Sequence, residues 1–223
     1  MQLKSTKDLH TNGVKLLVYG QAGAGKTSLI RTLPNPVVFS AEGGLLSLAQ
    51  SNIPYIEVTD MATLTEAYKW VTESDDAKQF DSVALDSISE IAEVVLSSEK
   101  KKSKDPRHAY GALQEIIGDL IRAFRDIQGK NVYFSAKLEK QADELGRMLY
   151  WPSMPGNKTG QQLPYYFDEV LALRVEKDAD GNTQRALICD SDGLWTAKDR
   201  SGQLDAWEAP DLGSIIKKIG GAA

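Results

Sequence analysis

Cysteine occurs once in the 223 residues, at Cys189, so no disulfide can close within the chain and a reducing compartment suits it. Long hydrophobic runs are missing as well: none approaches the length of a membrane span, and the first ten residues, MQLKSTKDLH, have no apolar stretch of the signal-peptide kind. The chain is therefore expected in the cytoplasm, away from membranes. Positive charge is not in excess either. Lys and Arg number 26 against 31 Asp and Glu, a net charge of −5, so any nucleic-acid contact has to come from a local basic patch. Internal repeats and low-complexity tracts are absent. What remains is ordinary for a globular chain, 42% hydrophobic and 26% charged, and its length fits a single domain spanning 1–223.

The most informative stretch is VKLLVYGQAGAGKTSLI, residues 14–30. An apolar run breaks into glycines and resumes with helical spacing. From Gly20 it reads G-Q-A-G-A-G-K-T, a complete phosphate-loop motif between a strand and a helix. Gly20, Gln21, Ala22, Gly23, Ala24 and Gly25 would turn backbone N–H groups toward phosphates, and Ser28 continues into the helix. Lys26 is expected on the β- and γ-phosphates of ATP, and the hydroxyl of Thr27 on Mg²⁺.

Apolar strands and helical patterns then alternate. Strands are expected at 37–40, 53–58, 81–86 and 131–136, and helices at 45–50, 63–74, 88–96 and 112–127. This predicts an α/β fold, a mostly parallel sheet with helices on both faces, over a core of about 14–136. The pattern changes after 137. Flanking segments around DELG suggest a hairpin or a mobile excursion. VLALRVE and QRALICD around DADGN predict a second hairpin, so an antiparallel extension is expected over about 137–209. A closing helix is expected at about 210–219.

Hydrolysis needs a metal-organising acid and a group that orients water. Asp86, ending the apolar run Val83–Leu85, fits the first role, with a plain helix cap before Ile88 as the other reading. Its neighbour is Ser87 and not a second acid, so the water-directing carboxylate has to come from another strand end. Glu42, just past VVFS, is the candidate, against a solvated turn; Glu90 is the second choice.

With these residues in place, the chain resembles the RecA recombinase core: an N-terminal phosphate loop, FSAEGG after the next strand, and VALDS. It is most similar to the short, core-only RecA-like ATPases of bacteriophages that anneal single strands or promote recombination. PSMPGNKTGQQLPYYFDEVLAL and WTAKDRSG also resemble their downstream pattern, so the likeness runs over about 14–205. The resemblance implies a RecA-like P-loop NTPase core, Glu42 as the water-polarising acid and Asp86 as the Mg²⁺-organising one. It also implies Ser135 as a polar sensor of the γ-phosphate, and Lys198 and Arg200 as cations reaching a neighbouring subunit's nucleotide. For those two residues, KDRSG as a solvated turn stays open. Self-association into a ring or filament with nucleotide at subunit interfaces follows from it, in a host's cytoplasm if the chain is phage-encoded.

RecA-like proteins touch single-stranded DNA through two mobile loops. The first would carry Lys100, Lys101, Lys102, Lys104 and Arg107, with His108 or Tyr110 to stack on a base; the second would carry Lys137, Lys140, Arg147 and Lys158, with Tyr150 and Trp151. Tyr150 and Trp151 could instead pack on the core. A single-stranded-DNA-binding protein is a further candidate partner. Neither an extra N-terminal DNA-binding domain nor a long C-terminal domain is expected, which favours strand binding or annealing over full strand exchange. A nucleotide-dependent protein switch or assembly ATPase is the alternative, and a small-molecule kinase is disfavoured because no Arg-rich lid is evident.

Overall fold

The computed structural model describes residues 13–102 and 105–220. Its strands are β1 (Lys15–Gly20), β2 (Pro36–Ser40), β3 (Tyr55–Glu57), β4 (Ser82–Asp86), β5 (Asn131–Ala142), β6 (Met148–Ser153), β7 (Glu169–Lys177), β8 (Thr183–Ile188), β9 (Lys198–Asp199) and β10 (Trp207–Glu208). The α-helices are α1 (Lys26–Leu29), α2 (Met61–Glu73), α3 (Ile88–Lys102), α4 (Pro106–Arg125), α5 (Asn157–Gln162) and α6 (Leu212–Ile219). Among the described residues the strands form one sheet in the order β10-β8-β7-β1-β5-β4-β2-β3, with β6 on β5 and β9 on β7.

The centre of the sheet is parallel because its connections cross over through helices, and its strands are apolar on both faces. In β1, alternate side chains go to opposite cores. Leu17 and Tyr19 enter the layer under α2, α3 and α4, whereas Leu16 and Val18 enter the layer under α1 and α6. Phe124 of α4 anchors the first layer, edge-on to Phe39, Tyr68 and Phe134. Cys189 is buried in the second layer, and burial pushes its thiol up to about 12. No described helix is long and apolar enough to cross a membrane.

Two expectations change. β7 pairs parallel with β1, so it belongs to the core, and the antiparallel part begins only at β8. The polar segment 154–168, holding α5 and a 3₁₀ turn, provides the crossover that a parallel pairing needs. DELG does form a hairpin, with β5 continuing to Ala142 and Lys137 registered against Ser153. The basic run at 100–110 is not a loop on either side of residues 103–104. α3 runs on to Lys102, since lysines are good helix formers and suit a helix C-terminus, and Lys102 pairs with Glu99 at 2.6 Å. α4 starts early, at Pro106, because Asp105 caps it and proline suits the first turn. Lys104 lies outside the described residues.

At the N-terminal edge of the sheet, Glu169 is buried where β7 meets β9, directly opposite Asp199. Burial, and then Asp199 beside it, raise its carboxyl to about 8. An unfolded Glu ionises near the ordinary value of 4.5, so between there and about 8 the folded state holds the extra proton. Stability should therefore fall as pH rises through that window and level off above it. Glu169→Gln, which stays neutral, should raise Tm at pH 8.5 by roughly 5–10 °C and change it little at pH 4.5, on the order of 3 kcal/mol. Thermal melts at the two pH values check this; an equal shift at both would mean that the charge is not the cause.

Candidate active site

The phosphate loop joins the C-terminal end of β1 to α1. Its glycines are required for different reasons. A Cβ on Gly20 would stand 2.8 Å from the Leu173 carbonyl oxygen, so β7 allows no side chain there. Gly23 and Gly25 have φ of +75° and +108°, in the left-handed region. The regular helix that follows is a single turn continued by a 3₁₀ turn at Ile30–Thr32. Backbone N–H groups of the loop, more than any long helix dipole, are thus what it offers a phosphate.

Lys26 donates to two carbonyls of its own loop, Gly20 at 2.9 Å and Gln21 at 3.0 Å. Burial lowers its pKa, and the carboxylates of Glu42 and Asp86 act against that. Beneath, the Tyr133 hydroxyl donates to the Lys26 carbonyl at 2.9 Å, fixing the start of α1 to β5.

Strand order assembles the acids. β5 lies between β1 and β4, so Asp86 at the end of β4 meets Thr27 across the end of β5. The Thr27 hydroxyl donates to Asp86 Oδ2 at 2.7 Å, and Ser135, fully buried in β5, donates to Oδ1. Asp86 is itself 1% exposed. Burial raises its pKa; the Ser135 and Thr27 hydroxyls act against this, Glu42 adds to it and Lys26 opposes it. On the far side of β4, Ser40 of β2 registers with Asp86, which brings Glu42 beside Ser87. Ser87 donates to Glu42 Oε1 and accepts the Glu90 N–H at 3.3 Å. Glu42 is exposed at the rim, and the Asp86–Ser87 peptide is cis. Glu90 is ion-paired with Lys137.

The donor set fits Mg²⁺ and a nucleotide. A hydroxyl and a carboxylate stand together beside a phosphate loop, and among the described residues no three acidic, His or Cys side chains are placed to hold a metal ion between them. A metal here has to draw most ligands from phosphates and water, as Mg²⁺ commonly does.

The structure thus brings Lys26, Thr27, Asp86, Ser135 and Glu42 together, with Gln21 and Ala22 exposed on the loop and Ser28 half-buried. Lys198 and Arg200 stand at the opposite end of the strands, where Lys198 registers with Val170 and the Arg200 N–H donates to the Asp168 carbonyl. Lys198 donates to the carbonyls of Pro164 and Phe167, and Arg200 pairs with Asp168 at 3.0 Å. Lys100, Lys101 and Lys102 are exposed at the end of α3 and Arg107 at the start of α4; Lys100 lies over the Tyr110 ring, 5.5 Å from its centroid. On the β5–β6 hairpin, Lys140 is exposed and Arg147 pairs with Asp143 at 2.8 Å. Tyr150 stacks on Trp195 at 4.1 Å, so its ring is taken by the protein.

Three contributors escape a sequence reading. Ser87 and Tyr133 carry a weak signal in their places within the strand-end motifs. Arg185 carries none: it lies in the polar half of a hairpin, yet its Nε donates to the Ala24 carbonyl at 2.9 Å.

A protein-family model described as an AAA domain matches residues 12–201, from the start of β1 to the turn after β9. No curated protein matches the chain.

Proposed function

The chain belongs to the AAA-domain family, a family of P-loop ATPases, and from that premise we propose that it hydrolyses ATP with Mg²⁺ to drive the binding and annealing of single-stranded DNA. The observation that carries the hydrolytic part is the meeting of Thr27 and Asp86, with Glu42 one hydroxyl away. Mg²⁺ held by Thr27 and Asp86 would neutralise phosphate charge. Lys26 exchanges its loop carbonyls for phosphate oxygens. Ser135 positions Asp86, and Ser87 orients Glu42 so that its outer oxygen polarises the attacking water. Glu90 is engaged with Lys137, which supports Glu42 for this role.

The single-strand reading rests on the exposed cations at the facing ends of α3 and α4, concentrated in an otherwise acidic chain. α3 starts next to Ser87, so it links Glu42 to that basic end through one rigid element. Arg200, held by Asp168, is proposed to act with Lys198 on a neighbouring subunit's phosphates, because both lie far from their own. A ring or filament follows, and a single-stranded-DNA-binding protein is a suitable partner for loading. The resemblance to phage annealing proteins supports the same reading. A nucleotide-dependent protein switch is the second reading, favoured by exposed Leu145 and Met148 on the β5–β6 hairpin and Tyr165 nearby.

Glu42→Gln should retain ATP and lose turnover by roughly 10²-fold or more, since an amide cannot polarise water as a carboxylate does. Phosphate-release and ATP-binding assays check it; normal turnover in this variant together with loss in Glu90→Gln would reverse the assignment. In mixed assemblies, Lys26→Ala subunits combined with Arg200→Ala subunits should regain part of the turnover that each lacks alone, because a mixed interface joins one intact pocket to one intact arginine. No recovery in demonstrably mixed assemblies would leave Arg200 a surface turn.

Replacing Lys100, Lys101, Lys102 and Lys104 with alanine should weaken oligo-dT binding and flatten its log–log salt dependence by up to about 3 units, at ~0.7 per phosphate contact. Basal ATPase should survive. Fluorescence anisotropy across salt concentrations measures this. Unchanged slopes would remove this patch from the DNA site, and no DNA binding by either protein, with ATPase intact, would favour the protein switch.

A further inference from the structure

On the ATPase reading, the γ-phosphate end of a nucleotide faces Glu42 and Asp86, on the β4 and β2 side of the phosphate loop. The opposite flank of the loop opens into a separate cleft of about 300 Å³, lined by Gly25, Ser28, Arg31, Thr32, Arg185 and Pro210 among others. A nucleotide whose phosphates follow the loop away from Glu42 runs into this cleft. Arg185 reaches it from β8, tied to the loop by its Nε, and a Cβ on Gly25 would be 3.7 Å from that nitrogen. Neither Arg185 nor Arg31 forms an ion pair among the described residues. The Thr32 hydroxyl is already used, donating to the Leu29 carbonyl at 2.7 Å and accepting the Leu212 N–H at 2.9 Å. Among the described residues, no carboxylate or amide side chain lines the cleft.

We infer that this cleft receives the ribose and base of the nucleotide, that Arg185 packs its guanidinium plane on them, and that the site takes purine nucleoside triphosphates without rejecting guanine. The inference rests on the ATPase reading above. A guanidinium plane stacks on any aromatic ring, whatever the groups on the ring's edge. Stacked on the ring face, its N–H groups lie in a plane parallel to the base and reach neither N7 nor O6, so the contact does not distinguish the two purines. Preferring adenine's amino group takes an acceptor-only or amide edge such as that of Asp, Asn or Gln, which the described lining lacks; the Ser28 hydroxyl there donates as readily as it accepts and so does not tell an amino group from a carbonyl. Adenine selectivity thus has no side chain to produce it. Arg185 contributes to the nucleoside end, whereas Lys26 contributes to the phosphates, so the two can be separated.

The experiment is displacement of a fluorescent ATP analogue, with Mg²⁺, by ATP, GTP and inorganic tripolyphosphate. It compares wild type, Arg185→Ala, Arg185→Lys and Lys26→Ala. GTP should compete within about tenfold of ATP, and Arg185→Ala should weaken both nucleotides by about tenfold, the loss of one charged contact. Tripolyphosphate should bind Arg185→Ala as it binds wild type. Arg185→Lys should recover little, because an ammonium lacks the stacking plane, and it carries the test if the alanine variant does not fold. GTP weaker than ATP by more than about tenfold overturns the purine reading. An equal loss of tripolyphosphate makes Arg185 only a brace for the phosphate loop, and undiminished ATP binding removes it from the site; either result overturns the inference. ATP binding that survives Lys26→Ala unchanged is a different failure, that of the ATPase reading itself.

Discussion

The site depends on one carboxylate taken out of water. Asp86 is held by hydroxyls from two other elements, Thr27 at the start of α1 and Ser135 in β5, and each needs the strand order to be what it is. Desolvating a carboxylate costs several kcal/mol, and two neutral donors return only part of that. The remainder is an attraction for positive charge at one point, beside a loop whose N–H groups attract negative charge. That pairing of opposite demands suits a metal–phosphate unit better than either component alone. The sheet's parallel centre serves the same end, since it collects the C-terminal ends of β1, β2, β4 and β5 along one edge.

The parts legible in the sequence were those encoded locally. The phosphate loop is contiguous, its glycines and Lys26 read together, and Asp86 and Glu42 each follow an apolar strand. Both hairpins and α6 declared themselves through turn residues and periodicity. Contributions made across the sheet were hidden. Gly20 is a glycine because of Leu173, and Arg185 meets the loop from a hairpin more than a hundred residues downstream. β7 could not be assigned to the parallel core because its alternation looks like that of its hairpin partner; the pairing with β1 is settled by the crossover before it. The lysines of α3 read as a loop since charge runs usually are, yet here they complement a helix terminus.

α3 deserves mechanical weight for the same reason. At about 1.5 Å per residue, its 15 residues span roughly 22 Å, from the hydroxyl that holds Glu42 to the last lysines. It packs along α4 and β5 and is buried at Ile88, Ile91, Ala92, Val95 and Leu96, which holds it as one rigid element. The acid at the strand ends and the basic surface are thus joined by one helix without an intervening loop, and the Lys137–Glu90 pair sits at the first turn of that helix.

The lone thiol has a practical side. Cys189 is 1% exposed, and burial holds its proton on up to about 12, so the thiolate that reacts with maleimides is essentially absent at neutral pH. The native chain is thus already a blank for site-specific labelling. A cysteine placed at the tip of the β5–β6 hairpin or at the end of α3 would be the sole reactive sulfur, and a dye there could follow assembly and helix movement in the otherwise unaltered protein.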